Sequence, residues 1–424
     1  MMRWDNLTVE SEESRALPGY REPATVRTFE APEAMDTRFY EVRAKSVLNR
    51  VPKASRMPFR WTINPYRGCS HACAYCLAGD TPILMANGRT VPIADLRPGD
   101  QVYGTVRSGS YRRYEPTLVL DHWSTVKRAY RITLADGTEL IASADHRFLS
   151  ARGKWKHVTG SEHGRNRRPH LTLNDKLIGT GAFTGAPDHS LDYRLGYVCG
   201  MVRGDGTLGS YDDPRAGRAS SDVHRLRLAL VDLEPLQRTR EFLCRLQIET
   251  DEFTFAAGMG GARPITAIRT QKRASVGAIR SLIEWPFHPS EDWCKGFLAG
   301  IFDAEGSYSR GILRICTTDL EIIEHIRHSL ARLGLPCVLE DQVRQNGLRV
   351  VRVPGGLQTH LCFFHSVDPA TTRKRTIDGT ALKSPARLQV VAIEPLAGEM
   401  DLYDITTGTG DFIANGVVSH NCFA

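Results

Sequence analysis

The sequence has no apolar run near the ~18–20 residues that a membrane-crossing helix needs, so no membrane-spanning role is expected. It has no basic-then-apolar leader either. Met1 to Glu13 is polar and acidic, and the expectation is a cytoplasmic protein. Large charge bias is also missing: 55 basic against 48 acidic residues leave a formal charge of +7, which permits nucleic-acid binding without arguing for it. The ten cysteines do not form a disulfide framework. Three crowd together at Cys69, Cys73 and Cys76, a pattern that points to metal or catalysis. Cys199, Cys244, Cys316, Cys337 and Cys362 stand singly among apolar residues and are expected to pack as small hydrophobes.

What is present is organised in blocks. A chain of 424 residues exceeds what one core serves and predicts about two to four domains. Residues 1–60 show no strong periodicity. From 76 to 185, short alternating runs such as Arg131–Leu134 and Glu139–Ala142 are separated by the turn signals Asn87-Gly88, Pro98-Gly99-Asp100 and Asp136-Gly137, which predicts an all-β region. From about 190 to 365 the pattern is mixed. Helices are predicted over Leu191–Arg203, Leu236–Leu246 and Leu320–Leu333, and Arg225–Leu230 alternates like a half-buried strand with its arginines outward. Strand patterns return at Leu388–Ile393 and Asp411–Ala414. The mixed region contains a repeat, since Val198–Gly206 aligns with Leu298–Gly306 and each copy ends acid-then-glycine. Such a duplication points to a pseudo-twofold unit inserted into a split β domain.

The two ends of the β patterns carry matching chemistry. In Ser419-His420-Asn421-Cys422, the asparagine can attack its own following carbonyl, a preceding histidine can polarise that carbonyl, and the cysteine can serve as a nucleophile. The other end reads Tyr75-Cys76-Leu77-Ala78-Gly79-Asp80, and downstream lie Ser143-Ala144-Asp145-His146 and Tyr403-Asp404-Ile405. Each alone is a common turn or core motif. Together, and in this order, they closely resemble the blocks of inteins from Cys76 to Asn421. The resemblance implies a β-rich horseshoe of the hedgehog/intein type and autocatalytic splicing that needs no cofactor. In that scheme Cys76 forms a thioester with Tyr75, His146 acts as acid toward the amide nitrogen, and Cys422 takes the acyl group. Asp404 orients or deprotonates Cys422, and Asn421 cyclises with help from His420. Two positions depart from the usual pattern. Ser143 stands where threonine is common and keeps the hydroxyl as splicing support. Gly410 stands where histidine is frequent and offers no side chain.

The repeated segments resemble LAGLIDADG homing endonucleases. That implies two motif helices packed at Gly200 and Gly300, with Asp205 and Glu305 holding Mg²⁺ over double-stranded DNA at the insertion site. Arg225, Arg227 and Arg269 are expected to face DNA, with Lys272 and Arg273 at phosphates. The first copy has Arg203-Gly204 where the family usually has Asp-Ala, so an inactive nuclease is the competing reading.

Cys69-x₃-Cys73-x₂-Cys76, with Asn64–Gly68 before it, resembles radical S-adenosylmethionine proteins related to spore photoproduct lyase. This implies a host with a 4Fe–4S cluster that binds S-adenosylmethionine, with zinc as the alternative for the cysteines. Joining Tyr75 to Cys422 restores the spacing through Cys69, Cys73 and Cys422. The 75 residues before the insert and the three after it fall short of a radical SAM barrel, so a truncated host is expected.

The expected architecture is therefore multi-domain. Residues 1–75 start an incomplete radical SAM extein. Residues 76–185 and 385–421 form an all-β splicing domain, split by an α/β pseudo-twofold endonuclease over 190–380, and 422–424 begin the second extein. The intein is expected to be monomeric. Two further alternatives stay open: a radical SAM enzyme with a non-splicing structural or regulatory insert, and a DNA endonuclease whose splicing residues are dead.

Overall fold

The computed structural model describes residues 7–10, 25–29, 38–41, 48–50, 61–63, 75–160, 168–212, 222–258, 261, 263–340, 347–383 and 387–421. The chain divides into two compact units, Met1–Cys73 with Phe423–Ala424, and Ala74–Cys422. In the first, Leu7–Glu10, Thr25–Phe29 and Arg38–Glu41 form an antiparallel sheet, and Leu48–Arg50 pairs with Trp61–Ile63. Periodicity gave no sign of these short strands, because charged residues and prolines interrupt any alternation there.

The second unit is sheet-rich and built from two β-sheets and an α/β insertion. One sheet runs in the order Glu139–Ser143, Leu77–Ala78, Val390–Thr407, Tyr111–Leu134, Gln101–Ser108. The other runs Trp155–His157, Arg147–Leu149, Val417–His420, Asp411–Ala414, Pro82–Leu84, Thr90–Pro92. Thus Leu77–Ala78, just after Cys76, sits in one sheet, and Val417–His420, just before Asn421, sits in the other. Ile132, Phe148, Ile405, Phe412 and Val417 fill the space between them and are fully buried. The predicted turns are present. Gly88 and Gly137 take φ of +75° and +88°, where a Cβ would be strained.

Among the described residues, the insertion holds six α-helices: α1 (Leu191–Asp205), α2 (Leu233–Arg245), α3 (Arg273–Leu282), α4 (Glu291–Glu305), α5 (Leu320–Arg332) and α6 (Gly356–Val367). The predicted helices agree with α1, α2 and α5. Sequence patterning passed over α3 and α6 and the N-terminal turns of α4. Helices α1 and α4 lie side by side. A Cβ on Gly200 would come within 2.6 Å of Ile301 N, and one on Gly300 within 2.2 Å of Tyr197 O, so the expected glycine contact is real. A second pair one turn earlier, Gly196 and Gly296, is tighter still: added Cβ atoms would meet Trp293 O at 2.2 Å and Tyr193 O at 1.9 Å.

The helix starts are tied reciprocally. Ser190 and Ser290 cap their own helices, accepting from Tyr193 N (3.3 Å) and Trp293 N (3.1 Å). Each hydroxyl also donates across the axis, Ser190 to Asp292 (2.8 Å) and Ser290 to Asp192 (2.6 Å). Each motif helix feeds a four-stranded antiparallel sheet, Gly206–Asp212, Asp222–Leu230, Ile265–Thr270, Asp251–Ala256 after α1 and Gly306–Ser309, Ile312–Thr317, Arg349–Val353, Val338–Leu339 after α4. Of the lone cysteines, Cys199 is buried as expected, whereas Cys244 on α2 is exposed because it lies on the outer face of that helix.

Candidate functional site

The β unit brings the two junction motifs together. Cys76 is fully buried. Its N–H donates to Ser143 Oγ (3.2 Å), and Ser143 N–H donates back to the Cys76 carbonyl (2.9 Å). Register sets this up, because Leu77 pairs with Ala142. His146 follows the turn after Ser143 and is fully buried. One ring nitrogen, Nε2, is 2.6 Å from Ser419 Oγ. The other, Nδ1, makes no hydrogen bond of full geometry, although the Tyr75 backbone is near enough to favour the protonated ring. Burial dominates, with His420 adding to it, and the imidazole is pushed down to about 3. His146 is therefore neutral at physiological pH.

At the other junction, Asn421 is fully buried. Its Nδ2 donates to the Thr407 carbonyl (3.3 Å) and to Thr407 Oγ1 (3.2 Å), while its Oδ1 has no hydrogen-bond partner. The nitrogen that would attack is thus the atom that is held. His420 Nδ1 lies against the Asn421 carbonyl. A carbonyl only accepts, so Nδ1 carries the proton and polarises that bond. Burial, then Arg147, pushes His420 down to about 4. The rings of Tyr75 and His420 are 5.6 Å apart, which sets the residue before Cys76 beside the residue before Asn421.

Asp404 is fully buried on the strand paired with Trp123, and its Oδ1 accepts from Ile405 N (2.9 Å). Cys69, Cys73 and Cys422 lie outside the described residues. Gly410 is not inert, since its carbonyl accepts the Asn421 N–H at 3.4 Å. Sequence patterning missed Thr407 and Ser419, which hold the Asn421 and His146 side chains. It also missed Thr105 and Arg112. Both bind the buried Asp411 carboxylate, Thr105 through N (2.6 Å) and Oγ1 (2.5 Å), and Arg112 through Nη2 (2.8 Å).

The insertion brings Asp205 and Glu305 together at the ends of α1 and α4. Asp205 is exposed, yet partial burial raises its pKa against the opposing charge of Lys374. Glu305 is raised first by burial and then by Asp205, so the two carboxylates feel each other. No cluster of three or more metal-ligating side chains occurs among the described residues. Two carboxylates suit an ion that keeps water or phosphate oxygens as its other ligands, and Mg²⁺ is such an ion. Lys374, unnoticed in the sequence, is buried beside them. Its Nζ donates to the carbonyls of Phe302 (3.1 Å) and Asp303 (2.5 Å), and its charge acts on both acids.

Arg227 and Arg269 face each other across paired strands and stack over Phe255 (4.8 Å) and Phe253 (4.7 Å). Arg225 lies on the same face, alternating with buried Leu226 and Leu228. Arg314 and Arg352 pair in the same way in the second sheet, a match that sequence reading missed. Lys272 is ion-paired with Glu249 (2.9 Å), and Arg273 opens α3, which packs on the opposite, Leu226-bearing face.

Comparison with known proteins adds a family to part of this picture. Residues 292–358 match the LAGLIDADG-like domain family. An uncharacterized protein of Mycobacterium tuberculosis is 46% identical over 84 residues, which is 19% of this chain and 25% of that protein. The chain thus spans about a quarter of the length of the first curated relatives it matches. The replicative DNA helicase DnaB of Rhodothermus marinus is 38% identical over 134 residues, 28% of this chain and 14% of that protein. Among solved structures, a mesophilic variant of the homing endonuclease I-DmoI covers 42% of this chain and 96% of its own, with 15% identity and a TM-score of 0.35. An Ssp DnaB mini-intein variant covers 82% and 94%, with 12% identity and a TM-score of 0.28. No helix among the described residues is long and apolar enough to cross a membrane.

Proposed function

We propose that this chain is a self-splicing precursor that excises Cys76–Asn421, joins Tyr75 to Cys422, and carries an embedded double-stranded DNA endonuclease. The observation that carries the proposal is the convergence of Cys76, His146, His420 and Asn421, with Tyr75 against the His420 ring at 5.6 Å. Cys76 Sγ attacks the Tyr75 carbonyl carbon, the C–N bond breaks, and the nitrogen leaves as the Cys76 amine. Because His146 is neutral, it serves as acid to that nitrogen only after taking the thiol proton. Cys422 then displaces Cys76 from the thioester, with Asp404 in the orienting role. Asn421 Nδ2 attacks its own carbonyl, polarised by His420, and releases the Cys422 amine. That amine takes the acyl group from its own sulfur and leaves an amide. The proposed splicing domain is 76–185 with 385–421, and the proposed nuclease is 190–380.

In the nuclease, Asp205 and Glu305 would hold Mg²⁺, which when bound supplies an acidic water and stabilises the leaving oxygen. Arg225, Arg227 and Arg269 give the adjoining sheet a cationic face suited to phosphates. Lys272 and Arg273 stand as further phosphate contacts at its margin. The host reading rests on the cysteine motif alone: Cys69, Cys73 and Cys422 would hold a 4Fe–4S cluster for S-adenosylmethionine after ligation.

Expression of the parent chain beside a Cys76→Ala, Asn421→Ala double variant tests splicing on a denaturing gel. The parent should yield an excised fragment and the variant only full-length chain; a fragment from both refutes the assignment. Incubating the purified fragment and Mg²⁺ with the uninterrupted host gene tests the nuclease. A cut at the insertion junction supports it, and intact DNA means a relic.

A further inference from the structure

The side chain of Tyr75 meets Arg147 and His157, which have no part in the proposed splicing steps, beside His420, which has one. Arg147 lies in the central of three paired strands. His157 opposes it on one side. On the other side Phe148 pairs with Ser419, so one step along each strand Arg147 and His420 share a face. Trp155 lies on that same face and meets the His420 ring edge-on at 4.6 Å. The Tyr75 ring enters this half-open cage. The Arg147 guanidinium sits 4.4 Å from its centroid, and the His420 and His157 rings are at 5.6 Å and 6.2 Å. Arg147 Nε is buried and makes no hydrogen bond, and among the described residues its guanidinium lies over the Tyr75 π face.

We infer that Arg147, Trp155, His157 and His420 form a recognition cage for an aromatic side chain at the residue before the first junction, with Arg147 as its specificity-determining member. The inference rests on Cys76 being the N-terminal junction. The physical reason is leverage. The acyl shift needs the Tyr75 carbonyl aligned on the Cys76 thiol, and a ring clamped one residue away restricts that carbonyl. An aliphatic residue at 75 gains no attraction from the guanidinium, and the carbonyl is then less restricted. The ring also packs against His420, so an aromatic residue at the first junction supports the imidazole that acts at the second.

The experiment uses the full chain carrying Asn421→Ala and Cys422→Ala, so that only the first step proceeds. Cleavage after Tyr75 is driven by dithiothreitol and timed. Tyr75→Phe should stay within about twofold of the parent, whereas Tyr75→Leu should be slower by about 3- to 30-fold, the range one desolvated cation–π contact spans. With Arg147→Gln, the Tyr75→Leu penalty should shrink to about twofold or less, and with Arg147→Lys it should be intermediate. The lysine arm keeps the charge, so it guards against a glutamine variant that fails to fold. A Tyr75→Leu chain as fast as the parent, or a penalty unchanged by Arg147→Gln, overturns the cage while leaving Cys76 in place. A parent that shows no Cys76-dependent thiol cleavage removes the junction itself.

Discussion

The proposed splice junctions and the proposed metal-binding acid pair are built on opposite terms. At the junctions Cys76, His146, His420 and Asn421 are buried, the histidines are kept neutral, and Thr407 holds the Asn421 side chain, Ser419 the His146 ring and Ser143 the Cys76 backbone. At the acid pair, Asp205 is exposed, Glu305 is half-exposed, and their shared positive neighbour is one lysine. On the proposed function, the difference follows from where the substrate comes from. A reaction on the chain's own backbone has its substrate already in place, so water can be excluded by folding. A reaction on DNA must wait for its substrate and metal, so the carboxylates stay open at the floor between two sheets. One centre is finished by folding; the other is finished by binding.

The largest effects should separate the two. Asn421→Ala should lower excision by at least about 1,000-fold, because a cyclising nucleophile has no substitute in a dry site. DNA cleavage by the same chain should be unchanged. Conversely, Glu305→Gln should reduce DNA cleavage by about 100-fold or more, with excision on a denaturing gel unaltered. If either variant damages both activities equally, the two centres are not independent.

A third variant should damage both. Asp368 accepts from Arg89 of the β unit (2.9 Å), from Arg238 (3.2 Å) and Arg375 (3.3 Å) of the insertion, and from His189 (3.3 Å) just before it. Arg375 is fully buried; its Nη1 reaches Asp368, and its Nε and Nη2 make no hydrogen bond. Asp368→Asn leaves buried cations uncompensated and should lower unfolding stability by about 3–5 kcal/mol in urea. The carboxylate also predicts a pH signature. Burial pushes it up, but the His189 bond and the arginines outweigh this and hold it at about 2. A folded pKa below the unfolded one gives stability that is complete above about pH 4 and lost as the pH falls toward 2. Acid unfolding of the parent should steepen across that window, and Asp368→Asn should flatten it.

How much of this was legible follows the same division. The acid pair and its glycines were readable because a duplicated motif announces them twice. The junction residues were readable as blocks, and the turns at Gly88 and Gly137 as dipeptides. The residues that hold the junction side chains were not. Ser419 and His146 meet 273 residues apart in sequence, and in the sequence Ser419 is only the residue that precedes the His420-Asn421 pair. Thr407 reads as the end of a strand until Asn421 is folded beside it. Arg314 and Arg352 escaped because their strands are short, and only the register with Arg227 and Arg269 reveals the symmetry. Asp368 gave no signal, since its partners come from four separate segments.

The smallest predicted effect asks what the Ser143 hydroxyl does. It accepts the Cys76 N–H at 3.2 Å in the precursor, so at first sight it stabilises the starting amide. In the acyl shift that nitrogen loses its resonance with the carbonyl, takes a proton while still bonded to the tetrahedral carbon, and then leaves as an amine. Its N–H bonds become stronger donors along the path, so the hydroxyl gains more in the transition state than in the ground state. Ser143→Ala should therefore slow dithiothreitol-driven cleavage by about 3- to 10-fold, the cost of one hydrogen bond at a developing charge. Ser143→Thr should restore the rate, because it returns the same oxygen. If Ser143→Ala cleaves faster instead, the bond serves the resting amide, and the strain that starts the reaction must come from the His146 side.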